Sequence, residues 1–139
     1  MDCVADLSFV GCWFVKDEAN ADGIKLLAAH ESGDTRIHAP DLWHYEVINF
    51  LLMCVRRKRL AAEGFEKAKH FLDQLQLRFH DQTDAICRRR IFQFAEKYEL
   101  TAYDAAYLEL ANRLQVPLFT LDDKLVAAAR KENLETNFS

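Results

Sequence analysis

Four carboxylates sit in stretches that should otherwise be building a core: Asp6 in VADLSFV, Glu46 in LWHYEVINFLL, Asp104 in LTAYDAAYLELA and Asp122 in VPLFTLDDKL. A buried carboxylate without a partner costs several kcal/mol or gives up its charge. Four such acids in one short chain point to a shared counter-charge. For an all-oxygen donor set the simplest is a hard divalent cation, Mg²⁺ or Mn²⁺. Such an ion removes the mutual repulsion, polarises a phosphoryl oxygen and lowers the pKa of a bound water. Other chemistries find less support. No nucleophile–base constellation suits a serine or cysteine hydrolase, and His30, His38, His44, His70 and His80 show no paired arrangement along the chain. The cysteines (Cys3, Cys12, Cys54, Cys87) are scattered, with no CxxC or Cys/His ligand spacing. That argues against zinc and leaves them as small apolar side chains.

Taken singly, each polar residue also has a plainer reading. Asp104 could be an early-turn helix acid and Asp122 a helix N-cap. Ser8 and Thr120 suit capping as well as orienting a carboxylate, and Asn49 suits a backbone hydrogen bond as well as a contact to the site.

The elements that must position these residues follow from composition and pattern. Half of the 139 residues are hydrophobic, with only four glycines and two prolines. This predicts one helix-rich domain over 1–139 and excludes both disorder and a turn-rich β-sandwich. Apolar runs predict strands at 3–5, 35–39, 77–79 and 117–120, with a further edge strand at 134–137. Helical spacing predicts helices at 8–16, 21–31, 41–57 (capped by Asp41), 61–75 and 83–98 (capped by Thr83). Another opens at Thr101 or Tyr103 and runs to 114, and the last spans 122–131. The alternation implies an α/β fold with a short central parallel sheet and helices on both faces. In such sheets the crevice lies beyond the carboxyl ends of the strands. Asp6 and Asp122 follow strands, Asp104 lies in a first helical turn and Glu46 in a second, so all four can converge there.

These segments, in this order, resemble the PIN-domain ribonucleases, in particular the VapC-type toxins of toxin–antitoxin pairs. The matching segments are VADLS with Asp6 and Ser8, APDLWHYEVINFL with Glu46 and Asn49, LTAYDAAYLELA with Asp104, and VPLFTLDDKL with Thr120 and Asp122. The likeness covers essentially the whole chain, and LTAYDAAYLELA followed by PLFTLD is its most specific part. It implies a Mg²⁺- or Mn²⁺-dependent endoribonuclease that hydrolyses RNA phosphodiesters with metal-activated water. Asp6, Asp104 and Asp122 would hold the metal, and Glu46 would be a ligand or orient the attacking water. Ser8, Asn49 and Thr120 would stand behind them. The resemblance also implies a homodimer and an antitoxin protein as partner. The alternative is a non-catalytic PIN-fold module that only binds RNA or a protein. A receiver domain would need an acidic pair after the first strand and a lysine after the last, and a haloacid-dehalogenase-type phosphatase would need an acid at position 8. Two departures stand out: Gln115 where such proteins commonly carry glycine, and the Asp122-Asp123 doublet, in which the Thr-x-Asp spacing favours Asp122 and turns Asp123 to solvent.

A formal net charge of −4 is not the footprint of a generic nucleic-acid binder, although Arg56 to Arg59 and Arg88 to Arg90 form dense basic clusters. The first suits a helix C-terminus and the second a solvated face as readily as RNA. No signal peptide precedes Asp6 and no apolar run reaches membrane-spanning length, which predicts a cytoplasmic protein with reduced thiols. The Leu7–Phe14 segment and the Trp43–Leu52 helix carry more large apolar groups than a small domain needs, a weak sign of self-association.

Overall fold

A computed structural model describes residues 1–138. The strands are β1 (Asp2–Ala5), β2 (Arg36–Pro40), β3 (Arg78–His80) and β4 (Leu118–Phe119), all parallel and ordered β3-β2-β1-β4. Cys3, Val4 and Ala5 of β1 are at most 1% exposed. A central strand with both faces covered reads as an uninterrupted apolar run, which is why CVA betrays it. The helices are α1 (Leu7–Val10), α2 (Ala21–Glu31), α3 (Trp43–Arg56), α4 (Ala62–Gln74), α5 (Ala85–Tyr98), α6 (Ala102–Leu114) and α7 (Asp123–Lys131).

Helices cover both faces. Register places Ala5, Ala39, Phe79 and Phe119 on one face. There Phe9 of α1 stacks on Phe119, ring centroids 5.5 Å apart, and Trp43 of α3 meets Phe79 at 5.7 Å. The other face, bearing Asp2 and His38, lies under α6, whose last residue Leu114 closes over it. Gly23 lets α2 approach α1, because a Cβ there would stand 2.6 Å from the Phe9 carbonyl oxygen.

Several boundaries differ from expectation. The helix expected over 8–16 stops at Val10 and tightens into a 3-10 turn, Gly11–Trp13. Asp41 caps nothing: α3 starts after Leu42, without a side-chain cap, so Glu46 lies in its first turn rather than its second. Asp84, not Thr83, caps α5 by accepting from the Cys87 N–H at 2.9 Å, while Thr83 bonds back to Asp81. Thr101 caps α6, accepting from the Asp104 N–H at 3.1 Å. Residues 134–137 form no strand, although the Leu118 N–H donates to the Glu135 carbonyl at 2.9 Å. Gln115 takes the left-handed backbone (φ 53°) that glycine would occupy without strain. Among the described residues no helix is long and apolar enough to cross a membrane.

Candidate active site

Strand order fixes where a crevice can open. From β1 the chain passes to β2 on one side, while β4 pairs on the other. The switch point therefore lies at the carboxyl ends of β1 and β4. Asp6 directly follows β1, and its N–H donates to the Phe119 carbonyl at 3.1 Å. Thr120 directly follows β4.

Asp6 is 6% exposed and gripped on both carboxylate oxygens. The Ser8 hydroxyl donates to Oδ1 at 2.6 Å, the Thr120 hydroxyl to Oδ2 at 2.5 Å, and the Phe9 N–H to Oδ1 at 3.2 Å. Each hydroxyl in turn accepts a backbone N–H: Ser8 from Leu121 at 2.9 Å and Thr120 from Asp122 at 3.1 Å. A hydroxyl has one proton, so both protons are committed to Asp6. Capping and orienting are thus the same act here, since Asp6 also caps α1.

The other acids are less buried than their sequence context implies. Glu46 is half-buried and accepts from the Tyr107 hydroxyl at 2.6 Å. Asp104 is half-buried in the first turn of α6. Asp122 is exposed and caps α7, accepting from the Leu125 N–H at 2.9 Å. Asp123 is exposed, as the spacing predicts. Asn49 is exposed and shares a groove with Glu46.

Proximity shows in the electrostatics. Burial raises the Asp6 carboxyl above the usual range against its three hydrogen bonds, and the Asp104 charge raises it further. Burial raises Glu46; Tyr107 opposes this, and the charges of Asp6 and Asp104 add to it. Burial and then Asp122 raise Asp104. Burial and then Glu46 push the Tyr107 phenol upward. Among the described residues none of these four acids has a cationic partner.

Hard oxygen donors that repel one another suit Mg²⁺ or Mn²⁺ in kind. Among the described residues, however, no three His, Cys, Asp or Glu side chains already converge on one point. The donor set therefore fits an ion that keeps several of its own waters, as Mg²⁺ does.

The family model described as PIN domain matches residues 6–131. This chain belongs to the PIN domain family. Ribonuclease VapC3 of Pyrobaculum aerophilum is 29% identical over 130 residues, covering 90% of this chain and 92% of that protein. Among solved structures, the crystal structure of PAE2754 from Pyrobaculum aerophilum matches with a TM-score of 0.63 at 19% identity, covering 94% of this chain and 89% of that one. At that identity the likeness carries the fold alone.

Three features of this PIN domain escape sequence reasoning. Tyr107, which holds Glu46, lies three residues after Asp104; its hydroxyl in a helical apolar run was the available signal. Glu109 is the most buried acid of its helix, at 0% exposure, yet it is neutralised: Arg113 donates at 2.9 and 3.2 Å and Gln82 at 3.1 Å. The arginine four residues on was the clue. The histidines, unpaired along the chain, do pair in space. His38 Nδ1 lies 2.8 Å from His80 Nε2, and His38 Nε2 lies 2.9 Å from Asp2 Oδ1. Parallel register brings β2 and β3 side by side, which no linear spacing reveals. This group is built on Asp2, at the start of the strand that Asp6 follows.

The basic clusters are partly spent on structure. Arg59 clasps Asp17 at 2.9 and 3.0 Å and Glu18 at 2.5 Å. Arg88 donates to the Thr83 carbonyl, Arg89 to the Ala85 carbonyl and Arg90 to the Asn112 side chain.

Proposed function

We propose that this PIN domain, a single unit over 1–139, is a metal-dependent endoribonuclease, a VapC-type toxin acting in the cytoplasm. The observation that carries the reading is the contrast with Glu109. Glu109 has Arg113, whereas Asp6, Glu46, Asp104 and Asp122 lie near enough for their charges to act on one another and have no cation. Burial and mutual repulsion raise the carboxyls of Asp6, Glu46 and Asp104, and a bound counter-ion would relieve both. The likeness to Ribonuclease VapC3 supplies the reaction class.

Asp6, Asp104 and Asp122 would hold Mg²⁺ or Mn²⁺, with Glu46 as a further ligand or as the group that orients water. When bound, the ion supplies an activated water and screens the phosphate charge. Ser8 and Thr120 keep both Asp6 oxygens in one orientation. Tyr107 fixes one oxygen of Glu46 and leaves the other to align a water or accept its proton, a role its raised pKa suits. Asn49, exposed in the same groove as Glu46, would contact the site or a phosphate. The test is cleavage of single-stranded RNA with Mg²⁺ or Mn²⁺ and with chelator, using wild type and Asp104→Asn. Metal-dependent cleavage lost in the variant supports the reading. RNA binding without cleavage makes the protein a binding module instead.

The same charge pattern suggests the partner. An antitoxin segment presenting Arg or Lys to the acids would supply the counter-charge and exclude both metal and RNA. A homodimer fits the surface of α3, where Tyr45 and Ile48 are 79% and 49% exposed. The Leu7–Phe14 segment contributes less, since Phe9, Val10 and Phe14 are absorbed into the core.

A further inference from the structure

One face of α3 joins the acid cluster to a basic turn. Glu46, Asn49, Met53 and Arg57 recur at three- and four-residue intervals and share a groove of about 340 Å³. Leu7, next to Asp6, lines the near end, and Arg59 lines the far end. From Glu46 to Arg57 the helix rises about 16 Å. Arg59 is committed to Asp17 and Glu18 and so builds the wall. Arg57 is exposed and, among the described residues, has no ion-pair partner. The groove thus begins at the Glu46 carboxylate and ends at an uncommitted guanidinium, with Asn49 and apolar side chains between.

A polyanion is repelled by the four acids and by a net charge of −4. It needs a cation away from the cleaved bond to hold it in register. We infer that this groove carries the single-stranded RNA flanking the scissile phosphate. Arg57 binds a backbone phosphate a few nucleotides away, and Phe50 and Met53 form the floor beneath the bases. This rests on the nuclease reading for its orientation, but the binding itself can be tested apart from cleavage.

The experiment measures anisotropy of a labelled single-stranded RNA of about a dozen nucleotides, with Mg²⁺ present, on the full chain carrying Asp104→Asn so that the RNA is not cut. Arg57→Gln should weaken binding about tenfold and reduce the slope of log affinity against log salt by about 0.7. Arg57→Lys should recover most of both. Arg56→Gln removes the same charge from the same helix end outside the groove and should cost far less. With Asp104 restored, Arg57→Gln should raise KM much more than it lowers kcat, and the defect should shrink on a dinucleotide too short to reach residue 57. Equal losses in Arg56→Gln and Arg57→Gln, an unchanged affinity, or no RNA binding at all would overturn the assignment and leave the groove to a protein partner. Arg57-dependent binding beside a wild type that cleaves nothing would sustain the groove and sink the nuclease reading.

Discussion

Asp104 and Glu109 lie five residues apart on one helix, and their substitutions should behave in opposite ways. Asp104→Asn removes one charge from a repelling group, so metal-free stability should hold or rise while metal-dependent cleavage is lost. Glu109→Gln strands the Arg113 guanidinium beside a neutral amide. Breaking a fully buried pair costs about 3–5 kcal/mol. Arg113 is 35% exposed, so the loss should be nearer 2 kcal/mol. Urea denaturation of both variants, beside RNA cleavage, checks the pair. An unfolded Asp104→Asn would make that acid structural, and an unperturbed Glu109→Gln would show that its ion pair contributes little. Both acids are conspicuous in LTAYDAAYLELA. What separates them is the cation: Arg113 can be found by counting four residues along the helix, whereas the lack of any partner for Asp104 depends on what other elements bring near it.

At the scale of elements, a polar tie joins three strands. Asp2 on β1 accepts from Arg36 on β2 at 2.9 Å and meets His38, which in turn meets His80 on β3. The His38 bond first, and then Arg36, hold the Asp2 carboxyl down at about 2. A carboxylate depressed on folding contributes stability above its unfolded value, about 3.9. That contribution is lost as pH falls through the folded value. The margin by which the urea midpoint of the wild type exceeds that of Asp2→Asn should therefore shrink as pH drops below about 4. Asp2→Asn should lower the midpoint at neutral pH and approach the wild type near pH 2, and equal midpoints at neutral pH would dismiss the tie. A second device is the left-handed Gln115 at the end of α6. Gln115→Gly relieves roughly 1 kcal/mol of backbone strain. It also loses the side-chain bond to the Asn112 carbonyl at 2.6 Å. The thermal midpoint should rise by a few degrees at most.

For the whole molecule, a cation that binds only the folded state must stabilise it by mass action. Mg²⁺ or Mn²⁺ at about a hundredfold its dissociation constant should raise unfolding free energy by about 2.7 kcal/mol in the wild type. The increase should largely vanish in Asp104→Asn. A thermal melt with and without metal measures this without any RNA, and equal shifts in both proteins would place the ion elsewhere. Light scattering at micromolar concentration tests the dimer; a monomer would leave Tyr45 and Ile48 to another partner.

Chain-local patterning carried much of this protein. Strand–helix alternation, the acids that close β1 and open α6 and α7, and the hydroxyls two residues from Asp6 and Asp122 all follow from periodicity and capping, which act within one or two turns. The same locality explains the misplaced cap at Thr83, where adjacent Asp84 competes for the role and only the finished backbone chooses, whereas α3 starts after Leu42 with no side-chain cap at all. Tertiary structure decided what depends on distant pairing. Thr120 reaches Asp6 across 114 residues and Tyr107 reaches Glu46 across 61. The histidine pair exists because β2 and β3 are neighbours, and Asp6 and Asp122 share one end of the sheet because β1 and β4 pair, with α3 and α6 bringing Glu46 and Asp104 close enough for their charges to act on Asp6. Strand order and register arise from packing the whole core at once, and no window of sequence contains them.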